Sequence, residues 1–148
     1  MAITGVHKIE EIFKKSASLR LDKDKIKEVN DLISQKLYDL LIVAEENAGY
    51  NARDVIWLSD VPLTKAMKES MRKFKELEEE LELQPILDHL ATLPPLKYEL
   101  EVELEKKLPE IAGTLIYILA MILKEISQDR KVSAEDLEKA KTIYNLTI

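Results

Sequence analysis

From Ile26 onward, apolar residues recur at three- and four-residue steps: Ile26, Val29, Ile33, Leu37, Leu40, Leu41, Ala44 and Ala48. That is the period of a stripe along one helix face. Leu32, Tyr38, Ile42 and Val43 widen the stripe toward its C-terminal half. Asp22 stands at the N-cap position, where a carboxylate can accept from the free amides of the first turn. Gly49 offers a stop. The pattern predicts a helix from Lys23 to Ala48, about 26 residues and roughly 39 Å long. A compact unit of about 70 residues has a radius of gyration near ~11 Å. A helix longer than its own unit must cross something comparable, or half of its stripe stays wet.

The second half supplies a comparable element. Glu101 to Gln128 carries a similar wide face through Leu104, Leu108, Ile111, Leu115, Leu119 and Leu123. A shift of 76 positions carries Ala44 onto Ala120, Ile42 onto Ile118 and Asp60 onto Asp136. The first-order reading is an internal repeat of two units, head to tail.

Shorter elements flank each long helix. His7 to Ala17 reads as a helix with Ile9, Ile12 and Phe13 on one side, and Ser18 to Leu21 as a tight connector. Tyr50 to Leu58 reads as an ordered loop with Val55 and Ile56 extended, closed by Trp57 as a plug for the end of the core. Ser59 is expected to cap a third helix, with Asp60 and Pro62 in its first turn, running on to about Leu83 as the link between halves. Glu78, Glu79 and Glu80 would be a solvated face of that link. A short helix from Pro85 to Leu93 opens the second half, and Pro94-Pro95 ends it. Pro109 is expected to kink the second long helix. Asp129 to Val132 is a loop, and Ser133 caps a last helix that buries Leu137, Ala140, Ile143 and Tyr144. The expected class is all-α: one compact domain over 1–148, with a first unit at 6–74, a helical connector at 75–84 and a second unit at 85–148.

The order short helix, long helix, short helix, met twice, resembles the histone fold. Ile9 to Ala17 followed by Leu19-Arg20-Leu21-Asp22 is similar to the first helix and first loop of an archaeal histone. Arg53 and Asp60, seven apart, match the loop arginine and third-helix aspartate that form a structural ion pair in that family. Asp136 matches the aspartate in the second half, but Arg130 stands six back rather than seven. The single-chain form resembles a bacterial family of double histone-fold proteins. The resemblance implies a pseudodimer in which the long helices clasp in an antiparallel handshake within one chain, so neither half folds alone.

Composition narrows the chemistry. The chain of 148 residues has three Gly, five Pro and no Cys, which excludes disulfides, thiolate metal sites and Cys nucleophiles. Its start lacks a basic-then-apolar leader pattern, so cytoplasmic is the expected location. Gly113 to Leu123 is apolar but far shorter than the ~20 residues a membrane span needs. Residues 1–74 hold 13 Lys+Arg against 12 Asp+Glu, and residues 75–148 hold 9 against 16. That acidic second half argues against wrapping by nucleic acid. His7 and His89 offer no ligand cluster, Asp88 and His89 do not face each other, and the three Gly are isolated. No catalytic, cofactor or metal site and no small-molecule substrate is expected.

The resemblance implies phosphate contacts from an arginine in the first helix, an arginine in the first loop and a lysine after the second-loop arginine. Glu11, Arg20 and Asp54 stand at those positions, so two of the three are reversed in sign. One corner keeps the charge: the handshake would set Arg20 and Lys23 beside Arg130 and Lys131. The opposite corner would combine Lys97 with Arg53 and Asp54. The favoured reading is a non-enzymatic protein-interaction or scaffolding module that meets a protein partner or itself, with Trp57 as an alternative recognition anchor. The alternative is a weak, non-specific, histone-like nucleic-acid binder working through Arg20, Lys23, Arg130 and Lys131.

Overall fold

The structure, a computed structural model, describes residues 5–77 and 84–148. Among these the chain is mostly helical: α1 (Gly5–Ala17), α2 (Lys23–Tyr50), α3 (Lys65–Glu76), α4 (Gln84–Leu90), α5 (Val102–Ile126) and α6 (Ala134–Thr147). Two strands of two residues each, β1 (Val55–Ile56) and β2 (Glu99–Leu100), pair in parallel. They are the departure from a purely helical chain. No helix among the described residues is long and apolar enough to cross a membrane.

α2 begins where its cap lies. Asp22 accepts from the Lys25 amide at 3.0 Å and holds the Lys25 ammonium at 2.6 Å. The helix does not stop at Gly49. It runs to Tyr50, and the left-handed residue that turns the chain is Ala52, at φ 58°. Gly49 instead lies under the Tyr98 side chain, whose hydroxyl would sit 3.7 Å from a Cβ there. At the end of α1 the left-handed turn is taken by Ser18, at φ 56°.

The halves exchange their short helices. α1 packs on α5, α4 packs on α2, and α2 and α5 touch each other. The loops are exchanged as well: β1 of the first half pairs with β2 of the second, and Arg20 bridges to Lys131 at the other end. The halves are not equivalent, because α3 and α6 both lean on α5. α5 is accordingly buried on most sides through its middle, with Ile111 to Tyr117 buried without a break. It runs through Pro109 as one helix. The connector after α4 is strapped to α2. Tyr38 donates to the Pro94 carbonyl at 2.7 Å, and the Glu45 carboxylate accepts from the Lys97 and Tyr98 amides at 2.6 and 3.0 Å.

Several boundaries differ from the sequence pattern for local reasons. Ser59 caps nothing. Leu58–Asp60 forms a single 3-10 turn, Val61 before Pro62 is extended, and α3 starts only at Lys65 under the Thr64 cap, which accepts from Met67 at 3.1 Å. α3 ends at Glu76; its expected continuation, with Glu78 to Glu80 and Leu83, lies outside the described residues. α4 ends at Leu90 rather than Leu93. Ile143 of α6 is exposed, whereas Tyr144 is fully buried and donates to the Leu115 carbonyl at 3.0 Å.

The close approach of α3 to α5 depends on Gly113, since a Cβ there would overlap the Phe74 ring. Gly113→Ala should gain up to about 1 kcal/mol of helix propensity but lose about 1–3 kcal/mol to overpacking. The expected net result is a lower urea midpoint by circular dichroism, partly restored by adding Phe74→Leu. An unchanged or raised midpoint would show that Phe74 moves aside without cost.

Candidate functional site

Two surfaces carry unusual chemistry, one at each end of the paired loops. At the first, the Arg20 amide donates to the Arg130 carbonyl at 2.7 Å and the Val132 amide to the Arg20 carbonyl at 3.0 Å. These bonds align the 18–22 and 127–133 loops side by side. Arg20, Arg130 and Lys131 are all exposed there, with Lys23 exposed in the first turn of α2. Carboxylates are interspersed: Asp22, Asp24 and Asp129 stand in the same loops and first turn. The hydrogen bond from Lys25, with a smaller pull from Lys131, keeps Asp22 ionised below the usual carboxylate range. The corner is basic in its side-chain count and diluted in its field.

The opposite end is built on a clamp. Arg53 donates to both oxygens of Asp60, at 2.6 and 2.7 Å. The Trp57 amide donates to the same carboxylate at 2.7 Å. The Asp60 side chain is 3% exposed, so this pair is shielded on its acidic side. The Arg53 hydrogen bonds hold the Asp60 carboxyl below the usual range against the opposing effect of burial. Among the described residues Asp136, the counterpart in the second half, has no such ion pair, and Arg130 is left to solvent.

The clamp fixes Trp57, which does not plug the core. The residue is 43% exposed, and the Arg53 guanidinium lies over one face of the ring at 3.8 Å from its centre. Ile56 fills the core in its place, fully buried. The reason is alternation: Val55 to Trp57 is extended, so neighbouring side chains point to opposite sides. The exposed side of Trp57 borders a cleft of about 680 Å³ between α3 and the first half of α5. Leu63, Met71 and Ile111 give it an apolar floor; Glu101, Glu103, Lys68 and Lys107 stand around it. Met67 is core, while Met71, one turn on, is only half-buried at the cleft.

The charges around the cleft differ in commitment. Lys107 binds Glu110 at 2.8 Å, and Lys75 binds the same carboxylate at 2.9 Å. Burial pushes the Glu110 carboxyl up, but these two ammoniums together hold it below the usual range. Sequence reading missed Glu101, Glu103 and Lys68 as site residues. The usable signal was the four-residue spacing Glu103-Lys107-Ile111, which places one face of α5 along the cleft. Lys97 does not join Arg53 in a basic patch; its amide is held by Glu45 and Arg53 is committed to Asp60. His89 contacts Asp31 at 3.3 Å across α4 and α2, and Asp88 pairs instead with Gln84. No group of three or more His, Asp or Glu among the described residues is placed to hold a metal.

Comparison with known proteins places these features in a family. Residues 9–145 match a domain of unknown function, DUF1931. Two proteins of Aquifex aeolicus (strain VF5), each described as uncharacterized, are similar. One is 27% identical over 134 residues, covering 90% of this chain and 78% of that protein. The other is 30% identical over 149 residues, covering 95% and 89%. A crystal structure of a Thermus thermophilus protein is similar with a TM-score of 0.92 and 41% identity, over 97% of both chains. The 1.9 Å crystal structure of protein AQ328 from Aquifex aeolicus is similar with a TM-score of 0.83 and 26% identity, over 98% of this chain and 96% of that one.

The clamp has a pH signature. A carboxyl depressed in the folded state contributes its full stability above its unfolded pKa, and that contribution is lost as pH falls through the folded value. Asp60 should therefore stabilise the fold fully at neutral pH, begin to lose that contribution as pH nears the ordinary carboxylate value of about 4, and lose it wholly only below its depressed folded value. Asp60→Asn is expected to cost about 2–3 kcal/mol at pH 7 and to flatten the acid side of the stability profile measured by urea unfolding. Parallel profiles for the two proteins between pH 7 and pH 3 would remove the clamp from the account of acid stability.

Proposed function

The chain belongs to the DUF1931 family, and we propose that it is a double histone-fold pseudodimer serving as a non-enzymatic protein-interaction module. The order of elements supports the fold reading. So do the exchange of short helices, the pairing of each half's first loop with the other half's second loop, and the Arg53–Asp60 pair. In this reading 6–74 and 85–148 are the two units of one domain.

The observation that carries the interaction reading is Trp57. An indole held half-exposed by a shielded ion pair is costly to keep wet, and its rigid mounting removes the ordering penalty on binding. Tryptophan beside an apolar cleft is the side chain most often found anchoring protein contacts. Val102, at the start of α5 directly after Glu101, is 61% exposed and adds apolar surface at the same end.

A second reading rests on the backbone bonds that join Arg20 to Arg130 and Val132. They gather Arg20, Arg130 and Lys131, with Lys23 nearby, into a ledge for non-specific nucleic-acid phosphates. With four cations the salt slope of log affinity could be no steeper than about −3.6 on duplex DNA. The interspersed Asp22, Asp24 and Asp129 reduce that further.

Two measurements separate the readings. Replacing Trp57 by a photoreactive benzoylphenylalanine in living cells should give a discrete protein adduct on irradiation, absent when the same residue replaces exposed Lys139. No adduct at position 57, or the same adducts at both positions, would remove the interaction reading. For the second, a low-salt gel shift should show retardation that the Arg20→Glu, Arg130→Glu pair weakens at least about tenfold. Absence of retardation at micromolar protein would end it.

A further inference from the structure

The two ends of the molecule are built on the same kind of bridge and carry opposite chemistry on it. Arg20 stands two residues before Asp22, the cap of α2, and bridges in parallel to Lys131. Glu99 stands two residues before Glu101, the cap position of α5, and pairs in parallel with Val55. The first bridge therefore holds two cations where the second holds a carboxylate and an apolar side chain. At the first bridge Leu19, Leu21 and Val132 turn inward, so Arg20 and Lys131 project to the same outer side. Like charges held opposite one another repel, and among the described residues no carboxylate forms a salt bridge with either.

The surrounding loops follow their bridges. Loops 18–22 and 127–133 hold Arg20, Arg130 and Lys131 against Asp22 and Asp129, and Asp22 is already closed onto Lys25 at 2.6 Å. Loops 51–64 and 91–101 hold Arg53 and Lys97 against Asp54, Asp60, Glu99 and Glu101. There Arg53 is closed onto Asp60 and partly answers Glu101. The first end keeps a surplus of cations and the second a surplus of carboxylates. α2 runs from one end to the other with 28 residues, a span of about 42 Å. That is several Debye lengths at physiological salt, so each end acts on a ligand by its own charge.

From this contrast we infer that duplex DNA meets the protein at one end only, across the Arg20–Lys131 bridge, and is left straight. The inference rests on the nucleic-acid reading above and adds how the duplex lies. Phosphates seated between Arg20 and Lys131 relieve the repulsion that the backbone bonds impose on that pair. A duplex bent along the molecule toward the second end would bring its phosphates against Glu99 and its neighbours, with no contact there to offset the bend.

The test joins salt dependence to duplex shape. Titrating a duplex of about 20 base pairs, with a fluorophore at each end, gives both the slope of log affinity against log salt and the end-to-end energy transfer. Arg20→Gln with Lys131→Gln should lower the magnitude of the slope by about 1.8. Lys97→Gln with Lys106→Gln removes two exposed cations from the other end and should leave the slope unchanged. Energy transfer should stay constant as the native protein binds. Val55→Lys with Glu99→Arg builds a cationic bridge at the second end. That variant should steepen the slope by up to about 1.8 and raise energy transfer as the duplex bends to reach it. A rise in transfer with the native protein, or an equal loss of slope in the Lys97, Lys106 variant, would overturn the inference and leave the nucleic-acid reading standing. So would a rebuilt bridge that folds and changes neither readout. The glutamine variants alter exposed side chains only, so the first two results decide the matter even if the rebuilt bridge does not fold. No binding at micromolar protein would end both the inference and the reading beneath it.

Discussion

One helix carries the packing of this molecule. α5 receives α1, α3, α2 and α6, so its flank must be apolar nearly all round and free of bulk where α3 approaches closest. Both demands are met within one run: Ile111 to Tyr117 is buried continuously, and Gly113 in its middle lets the Phe74 ring lie against the helix backbone. Within that buried run the Thr114 hydroxyl is satisfied locally, donating to the Glu110 carbonyl one turn back at 2.7 Å. α2 has the same length class but an easier task, with its own stripe covered by α1, α4 and α5 and its opposite side wet.

That imbalance makes two similar halves into a molecule with two different ends. Positions related by the 76-residue shift no longer have equal environments: Val43 is 39% exposed while Leu119 is fully buried. The loop ends diverge in the same way. One end pairs Arg20 with Lys131 through backbone alone and leaves its side chains in water. The other adds a bidentate ion pair, a stacked indole and a cleft. Function, in the reading preferred above, sits at the end where side chains are locked in place, because a rigid anchor loses less freedom on binding.

The long helices, the placing of the loops and the identity of most core residues were legible from periodicity alone, since a stripe of Ile, Leu and Ala at three- and four-residue steps has few other uses. The Arg53–Asp60 spacing was legible too. Boundaries that depend on competition were not. Ser59 reads as the cap of a helix until Val61 before Pro62 turns extended and Thr64 takes that role. Gly49 reads as a stop, yet the helix runs past it to Tyr50 and the left-handed turn falls at Ala52. Trp57 reads as a core plug, and only the extended backbone from Val55, with Ile56 inward, turns it out.

The sequence by itself therefore determined what must be buried: two long stripes too extended to be covered by their own halves. It could not decide which charges would be spent on one another. Whether Glu101, Glu103, Lys68 and Lys107 form a site or a solvated face depends on the angle at which α3 meets α5. The close approach of the two helices is permitted by one glycine against one phenyl ring, a contact between residues 39 positions apart. Periodicity records which side of a helix is apolar; only the packed structure fixes which neighbour that side meets, and so which polar groups are left facing each other.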